Sequence, residues 1–351
     1  MEEASPSVSR FRPILRGKPP RLNAIIPAAM DVSIEKGTSP LQVRVGPLLL
    51  KNPLVSASGT FGYGEEMEGF LDPGVYGAII GKSISLEPRK GNPLPRIAET
   101  PSGMLNSIGL QNPGFDRFVS EYLPRMRRYG TVLVVNLVGD TIDEYVDMAA
   151  RLDSIPGVDA IELNISCPNC PTGGMEFGIE PRATEALVRK VRDRFRGAIF
   201  AKLTPNVTDI VPIALAAEAG GADAVSLVNT YLGMSIDWRR RRPRLGGITG
   251  GLSGPAIKPL ALRAVWLVAR ACRIPVVGMG GILSSDDVLE FLVAGATAVQ
   301  IGTAHFVKPR AVLDMLRDLE RVVADERLGS ISEIVGTLRT ERKPITVQGD
   351  G

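Results

Sequence analysis

Histidine is nearly missing from this chain: there is one, His305, in 351 residues. Proton-moving chemistry therefore falls on His305 or on a group that is not histidine, and a lone imidazole is read first as structural. Cysteine is scarce as well. Three cysteines in a chain of this length make no disulfide framework and fit a reducing cytoplasm. Neither sign of charge is in excess: 41 Lys and Arg stand against 38 Asp and Glu, a net +3 that gives no electrostatic footprint for nucleic acid. No apolar run approaches the roughly 18 residues that span a bilayer. The Met-Glu-Glu start lacks a basic segment followed by an apolar one, so no membrane attachment and no secretory signal are expected. No G-x-G-x-x-G turn follows the first strand-like run, which counts against a doubly wound dinucleotide-binding sheet. A cysteine quartet for an iron–sulfur cluster is lacking too.

What is present is a sizeable core: 44% of residues are hydrophobic. Residues 1–40 carry Pro6, Pro13, Pro19, Pro20, Pro27 and Pro40 with little periodicity, and read as a flexible extension. Residues 41–325 read as one catalytic domain and 326–351 as a partly ordered tail. Within the domain, eight short apolar runs alternate with stretches of helical period. The runs are LVSAS (54–58), GAIIGKS (77–83), VLVVNL (132–137), AIELNIS (160–166), AIFAKL (198–203), AVSLVN (224–229), PVVGMGG (275–281) and AVQIGTA (298–304). DTIDEYVDMAARLDSI, PRATEALVRKVRDRFR, TDIVPIALAAEAG and SSDDVLEFLVAG are the clearest helices, the last two starting at Thr208 and Ser284. Continuous apolar strands alternating with helices imply a parallel sheet covered on both faces. Eight such units predict a (β/α)8 TIM barrel. Most runs start about 23 to 38 residues apart, but two gaps are near 50 (83–131 and 230–274), and a smaller Gly-Pro-rich insertion follows the fourth run. All three insertions leave the C-terminal ends of strands, the face where barrels carry their active sites.

Nearly every run ends on an amide, amine, hydroxyl or glycine. The list is Ser58-Gly59-Thr60, Lys82-Ser83, Asn136, Asn164, Lys202, Asn229-Thr230, Gly280-Gly281 and Gly302-Thr303. One such residue is ordinary strand termination. Eight of them, with two lysines emerging from apolar runs, point to a ligand, because an unpartnered buried lysine is costly. Glycine pairs in GMGGILSSDD and GTAHF suit a phosphate held by backbone amides and a helix start, and the GGLSGP segment (250–255) would complete the cradle. A phosphate anchor, several amides and two lysines suit a flavin mononucleotide. The rival from another class is a phosphate-ligand-binding barrel without redox activity. A lysine Schiff-base aldolase leaves the Asn-rich mouth unexplained.

Two cysteines, Cys167 and Cys170, share the segment NISCPNCPTGG. They form a redox pair, part of a metal site, or one working thiol beside an idle one. Pro168 and Gly173-Gly174 favour a loop over a thioredoxin-like helix start. Zinc would need two further ligands, and Cys272 and His305 lie on other units, so no metal is expected.

Over roughly residues 42–310 the sequence resembles the class 1 dihydroorotate dehydrogenases. KNPLVSASGTFGYG, GNPLPRIAETPSGMLNSIGLQNPG, ELNISCPN, AKLTPN, VNT, GGLSGPAIKP, GMGGI and GTA occur in that family's order. ASGTFGYG and IGLQN are most similar to subclass 1B. The resemblance implies a barrel with FMN at its mouth that oxidises (S)-dihydroorotate to orotate in pyrimidine biosynthesis. It also implies a homodimer, and a heterotetramer with an iron–sulfur, FAD-containing subunit that passes electrons to NAD+. A fumarate-using class 1A enzyme and a dihydropyrimidine dehydrogenase-like barrel are the related alternatives. The family's FMN contacts would fall on Ser58, Lys82, Ser83, Asn136, Asn164, Lys202 and Val228, and at the phosphate end on Gly254, Gly280, Gly281, Gly302 and Thr303. Substrate contacts would fall on Lys82, Asn106, Ser107, Ile108, Gly109, Leu110, Asn164, Asn169, Asn229 and Thr230. The family's catalytic base is the cysteine of ISCPN, here Cys167, which leaves Cys170 without a required role. The run Arg239 to Arg242 with Arg244 is not explained by the family pattern. It reads as a solvated loop or a surface for an acidic partner.

Overall fold

The computed structural model describes residues 39–166 and 176–340. Eight parallel strands close into a barrel: β1 (Leu54–Ser56), β2 (Ala78–Ile80), β3 (Val132–Leu137), β4 (Ala160–Asn164), β5 (Ala198–Lys202), β6 (Ala224–Leu227), β7 (Val276–Met279) and β8 (Ala298–Ile301). Each pairs with its sequence neighbour, and β8 returns to β1 through Val299–Leu54, Gln300–Val55 and Ile301–Ser56. β4 and β5 are buried at every position. A strand covered by helices outside and by the filled barrel inside has no solvent face, so its sequence shows no polar alternation.

The helices between strands carry their own start and stop signals. Thr141 accepts the Glu144 amide at the head of α1 (Ile142–Asp153). Glu180 accepts the Arg182 amide at the head of α2 (Pro181–Arg192). Ser284 and Asp287 form a reciprocal capping box at the start of α5 (Ser285–Ala294), which ends at Gly295 in the left-handed region. The expected start at Thr208 is corrected: α3 spans Val211–Ala219, with Pro212 in its first turn. Proline fits there because that turn has no use for its N–H, and the Asp209 carboxylate accepts the Val211 amide. α4 (Lys258–Ala271) and α6 (Ala311–Asp325) complete the long helices of the described residues.

The two long insertions combine. Strands at Ile97–Thr100 and Gly103–Asn106, after β2, join strands at Tyr231–Met234 and Thr249–Ser253, after β6. Together they form one four-stranded antiparallel sheet. Its rows tie distant segments: Leu232 faces Gly251, Gly251 faces Asn106, and Asn106 faces Ile97. The chain thus builds a second wall above the C-terminal ends of the strands. Past α6, a short turn at Ile331–Ile334 buries Ile331 in the core. Among the described residues no helix is long and apolar enough to cross a membrane.

Candidate active site

Apart from β3, which ends with its run at Leu137, the barrel strands stop one to three residues before the apolar runs do. Ser58, Lys82, Ser83, Val228 and Asn229 therefore lie just past the last ladder pair of their strands, where side chains leave the wall and meet at the mouth. A cavity there is lined by Ser58, Lys82, Ser83, Asn164, Lys202, Val228, Asn229 and Thr230 from the strand ends. The insertion sheet and its loop add Asn106, Ile108, Gly109 and Leu110, and the opposite end is lined by Gly254, Gly280, Gly281, Gly302 and Thr303. Sequence reasoning missed Ile97, Met104, Gln300 and Phe306, which also line it.

Two residues of the expected set are placed otherwise. Ser107 is buried behind the wall, where its hydroxyl accepts from Asn92 at 2.9 Å and its amide donates to the Arg96 carbonyl at 2.7 Å. It holds the loop in place and does not line the cavity. Asn136 lies within the barrel, donating to Glu162 at 2.6 Å. Cys167, Asn169 and Cys170 fall outside the described residues. The chain reaches Cys167 from a fixed point, however. The Ser166 hydroxyl donates to Asn164 Oδ1 at 2.9 Å, and Asn229 Nδ2 donates to Ser166 Oγ at 2.8 Å.

Neither lysine of the mouth has a carboxylate within ion-pair distance among the described residues. Lys202 is 4% exposed. Burial pulls the Lys82 ammonium below the usual lysine range, the like charge of Arg96 adds to this, and Glu66 opposes it. Amides and hydroxyls surround these cations: Asn164 Nδ2 donates to Ser83 Oγ at 3.2 Å, which lies 3.3 Å from Ser58 Oγ. The site thus offers positive charge and neutral polar groups, a composition that suits an anionic, partly polar ligand.

The glycine end is built for close backbone approach. Gly254, Gly280 and Gly281 have φ of +93°, +129° and +77°. A Cβ on Gly281 would stand 2.7 Å from Lys258 Cβ and 2.9 Å from the Gly254 carbonyl oxygen. Just ahead of the helix that follows, two backbone amides are already engaged. The Asp287 carboxylate already accepts the amides of Leu283 and Ser284 there, and it is paired with Lys258 at 2.6 Å.

His305 sits behind the mouth, 4% exposed. Its Nε2 lies 2.7 Å from the Tyr76 hydroxyl and its Nδ1 3.1 Å from Thr60 Oγ1. Burial lowers its pKa to about 4, so near neutral pH the ring is an uncharged bracket between two loops.

The family model described as dihydroorotate dehydrogenase matches residues 40–323. The chain belongs to the dihydroorotate dehydrogenase family. It is 52% identical over 298 residues to a protein of Trichlorobacter lovleyi named dihydroorotate dehydrogenase B (NAD(+)), catalytic subunit, covering 85% of this chain and 98% of that one. Proteins of the same name from Citrifermentans bemidjiense and Desulforudis audaxviator are each 51% identical. They cover 85% and 84% of this chain and 98% and 96% of their own lengths. The family is one of flavin-dependent oxidoreductases on the (β/α)8 barrel, and the closed eight-stranded barrel of this chain is that fold.

Proposed function

We propose that this chain is the FMN-dependent catalytic subunit of an NAD+-linked dihydroorotate dehydrogenase, oxidising (S)-dihydroorotate to orotate in pyrimidine biosynthesis. The observation that carries the reading is the composition of the mouth. Two lysines without carboxylate partners among the described residues stand with Asn164 and Asn229 at strand ends, in a chain about half identical to relatives of that name along nearly their whole length.

FMN fits the residues on two counts. Cβ atoms at 254, 280 and 281 would meet Gly103, Ala261 and Lys258 of the protein itself, so glycine at these positions lets the loops line the cavity with bare backbone. The buried amide oxygens of Asn136 and Gln300 lack partners among the described residues. Ser58, Lys82, Ser83, Asn136, Asn164, Lys202 and Val228 would hold the ring and Gly254, Gly280, Gly281, Gly302 and Thr303 the phosphate. FMN so held supplies a two-electron acceptor for the hydride that leaves C6 of the substrate.

The chain's own residues supply the rest. Lys82 offers a cation to the substrate carboxylate, and Asn106, Asn164, Asn229 and Thr230 offer amides and a hydroxyl to the pyrimidine ring, with Ile108, Gly109 and Leu110 closing over it. Asn169 joins them from the loop after β4. Cys167, as thiolate, takes the C5 proton as the C5=C6 double bond forms. Lys202 fixes a positive charge inside the barrel, where electron density on a bound ring is increased.

NAD+ as final acceptor rests on the relatives' name, and this chain shows no dinucleotide fingerprint. Electrons therefore pass through a partner subunit carrying FAD and an iron–sulfur cluster. A homodimer is supported by an exposed stripe. Leu232, Met234 and Ile236 alternate along one extended segment, Trp238 follows in the turn, and all four are exposed, Trp238 by 70%. The neighbouring Arg239–Arg242 run suits an acidic surface of a partner.

The test is anaerobic reduction of the bound flavin by (S)-dihydroorotate, followed by visible absorbance in wild type and Cys167→Ser. Bleaching in wild type that slows by about 10²–10⁴-fold in the variant is expected. A wild-type flavin that stays oxidised defeats the substrate assignment, and a variant as fast as wild type defeats the base.

A further inference from the structure

Glu162 is a carboxylate in the middle of β4, 0% exposed, with no cation within ion-pair distance among the described residues. The proposed mechanism gives it no role. Its two oxygens are used separately. Oε1 accepts from Asn136 Nδ2 at 2.6 Å on the adjacent strand β3, and Oε2 accepts from Gln300 Nε2 at 2.6 Å. Gln300 is on β8, four strands away around the closed barrel, so Glu162 bridges the barrel interior. Ser226 Oγ, 3.3 Å from Gln300 Nε2, adds a weaker contact on the same nitrogen.

The consequence lies on the other ends of the two amides. Asn136 Oδ1 and Gln300 Oε1 have no hydrogen-bond partner among the described residues, and each residue is 1% exposed. A buried carbonyl without a donor is costly. A primary amide escapes that cost by turning over when its neighbour allows it. Here neither can. A carboxylate accepts only, so an amide turned over would set oxygen against oxygen at 2.6 Å. Glu162 thus locks both amides with nitrogen inward to itself and oxygen free, and Gln300 lines the cavity.

We propose that Glu162 is a positioning residue for the flavin site: anchored on its other side by Asn136, it holds the carbonyl oxygen of the cavity-lining Gln300 as a fixed acceptor for a ring N–H of the bound cofactor. This rests on the flavin reading above. The oxidised isoalloxazine carries one ring N–H, at N3, between two carbonyls. A site with locked acceptors favours that ring over one in which the N–H is blocked. Glu162→Gln is the informative change. It preserves shape but presents one NH2 to two neighbours that both donate, so one of them must turn over and offer a donor in place of its oxygen.

The experiment measures dissociation constants of FMN and of FMN methylated at N3, by quenching of flavin fluorescence, for wild type and Glu162→Gln. Wild type should bind FMN about tenfold or more tightly than the variant, the loss of about one hydrogen bond. The penalty for the methyl group should shrink by a similar factor in the variant, because the contact it blocks is already lost. A role confined to barrel stability would weaken both flavins equally, and that result overturns the proposal, as does unchanged FMN affinity. Gln300→Met removes one locked oxygen and leaves the Glu162–Asn136 bond. It should show the same shrinking penalty, and it serves as the test if Glu162→Gln does not fold. Wild type that binds neither flavin defeats the cofactor reading itself. Wild type that binds FMN with no methyl discrimination defeats only the role given to Glu162.

Discussion

His305 makes the stability of this protein depend on pH in a way that one residue can be held responsible for. In the neutral ring one nitrogen donates and the other accepts. The geometry fits one arrangement throughout. The Tyr76 hydroxyl donates to Nε2 at 2.7 Å, the Nδ1–H donates to Thr60 Oγ1 at 3.1 Å, and the Thr60 hydroxyl donates to the Ala57 carbonyl at 3.2 Å. Protonation would set an N–H against the Tyr76 hydroxyl and place a charge in a buried pocket beside Phe61. Burial accordingly lowers the folded-state pKa to about 4 from the ordinary 6.5. Because the folded pKa lies below the unfolded one, the unfolded chain binds more protons between these two values. Stability is therefore full above about pH 6.5 and falls as pH drops toward 4. The difference of about 2.5 pKa units corresponds to about 3 kcal/mol at about 1.4 kcal/mol per unit, a large part of an ordinary folding free energy of about 5–15 kcal/mol.

The assay is urea unfolding from pH 7.5 to 4 at fixed protein concentration, for wild type and His305→Gln. Carboxylates titrate in both, so the quantity of interest is the difference between the two curves. Wild type should lose about 3 kcal/mol more than the variant across that range. Because the chain has a single histidine, selective labelling of its ring gives one NMR resonance, which should stay unshifted down to about pH 5. Parallel unfolding curves, or a resonance titrating near 6.5, would refute the reasoning.

Two further outcomes are expected. Gly281→Ala places a Cβ 2.7 Å from Lys258 Cβ at a φ of +77°; left-handed strain and crowding together should destabilise the fold by about 2–4 kcal/mol and weaken FMN binding, read by urea unfolding and flavin fluorescence, and an unaffected protein would show that the glycine loop is slack. Trp238→Glu puts a charge into the exposed apolar stripe and should leave urea unfolding of the isolated chain within about 0.5 kcal/mol of wild type while shifting sedimentation velocity from dimer to monomer; an unchanged sedimentation profile removes the stripe from the dimer interface.

The barrel was legible because its strands are buried on both sides. Runs such as AIFAK need no partner to be recognised, and eight of them close only one way. The mouth was legible for a related reason: a lysine or asparagine at the end of an apolar run has left the wall and must face something. What escaped was everything set by pairing between distant segments. Nothing in residues 97–106 announces that they will lie beside residues 231–253, because short insertion strands gain their order from each other and not from local pattern. Ser107 was grouped with its neighbours although its hydroxyl turns to Asn92, since a tight loop alternates faces unpredictably. Glu162 and Gln300 did leave a signal, one polar residue inside AIELN and one inside AVQIG. A glutamate amid four apolar or amide positions of a buried strand is as informative as a lysine at its end.

The residues left incomplete by the protein itself identify the ligand more sharply than the residues it completes. A folded chain pairs nearly all its buried polar groups, and each exception costs about 1–3 kcal/mol. Among the described residues five buried side-chain atoms lack a partner; Tyr63, Thr100 and Arg192 carry three of them away from the cavity, and the Asn136 and Gln300 oxygens lie in the barrel interior. Near these two, Lys82 and Lys202 stand at the mouth with no described carboxylate within ion-pair distance, and glycines with positive φ crowd the far end. Packing alone would not select this arrangement, since leucine at 202 or 300 would fill the same barrel without the penalty. Read in order, the deficits ask for an N–H donor, then negative charge, then a compact group reached by backbone. A planar ring with one N–H, joined to a phosphate and stacked beside a carboxylate-bearing substrate, meets all three demands at once. A sugar phosphate meets only the last two. The locked amides of Asn136 and Gln300 are therefore the feature that separates a flavin site from a general phosphate-binding barrel.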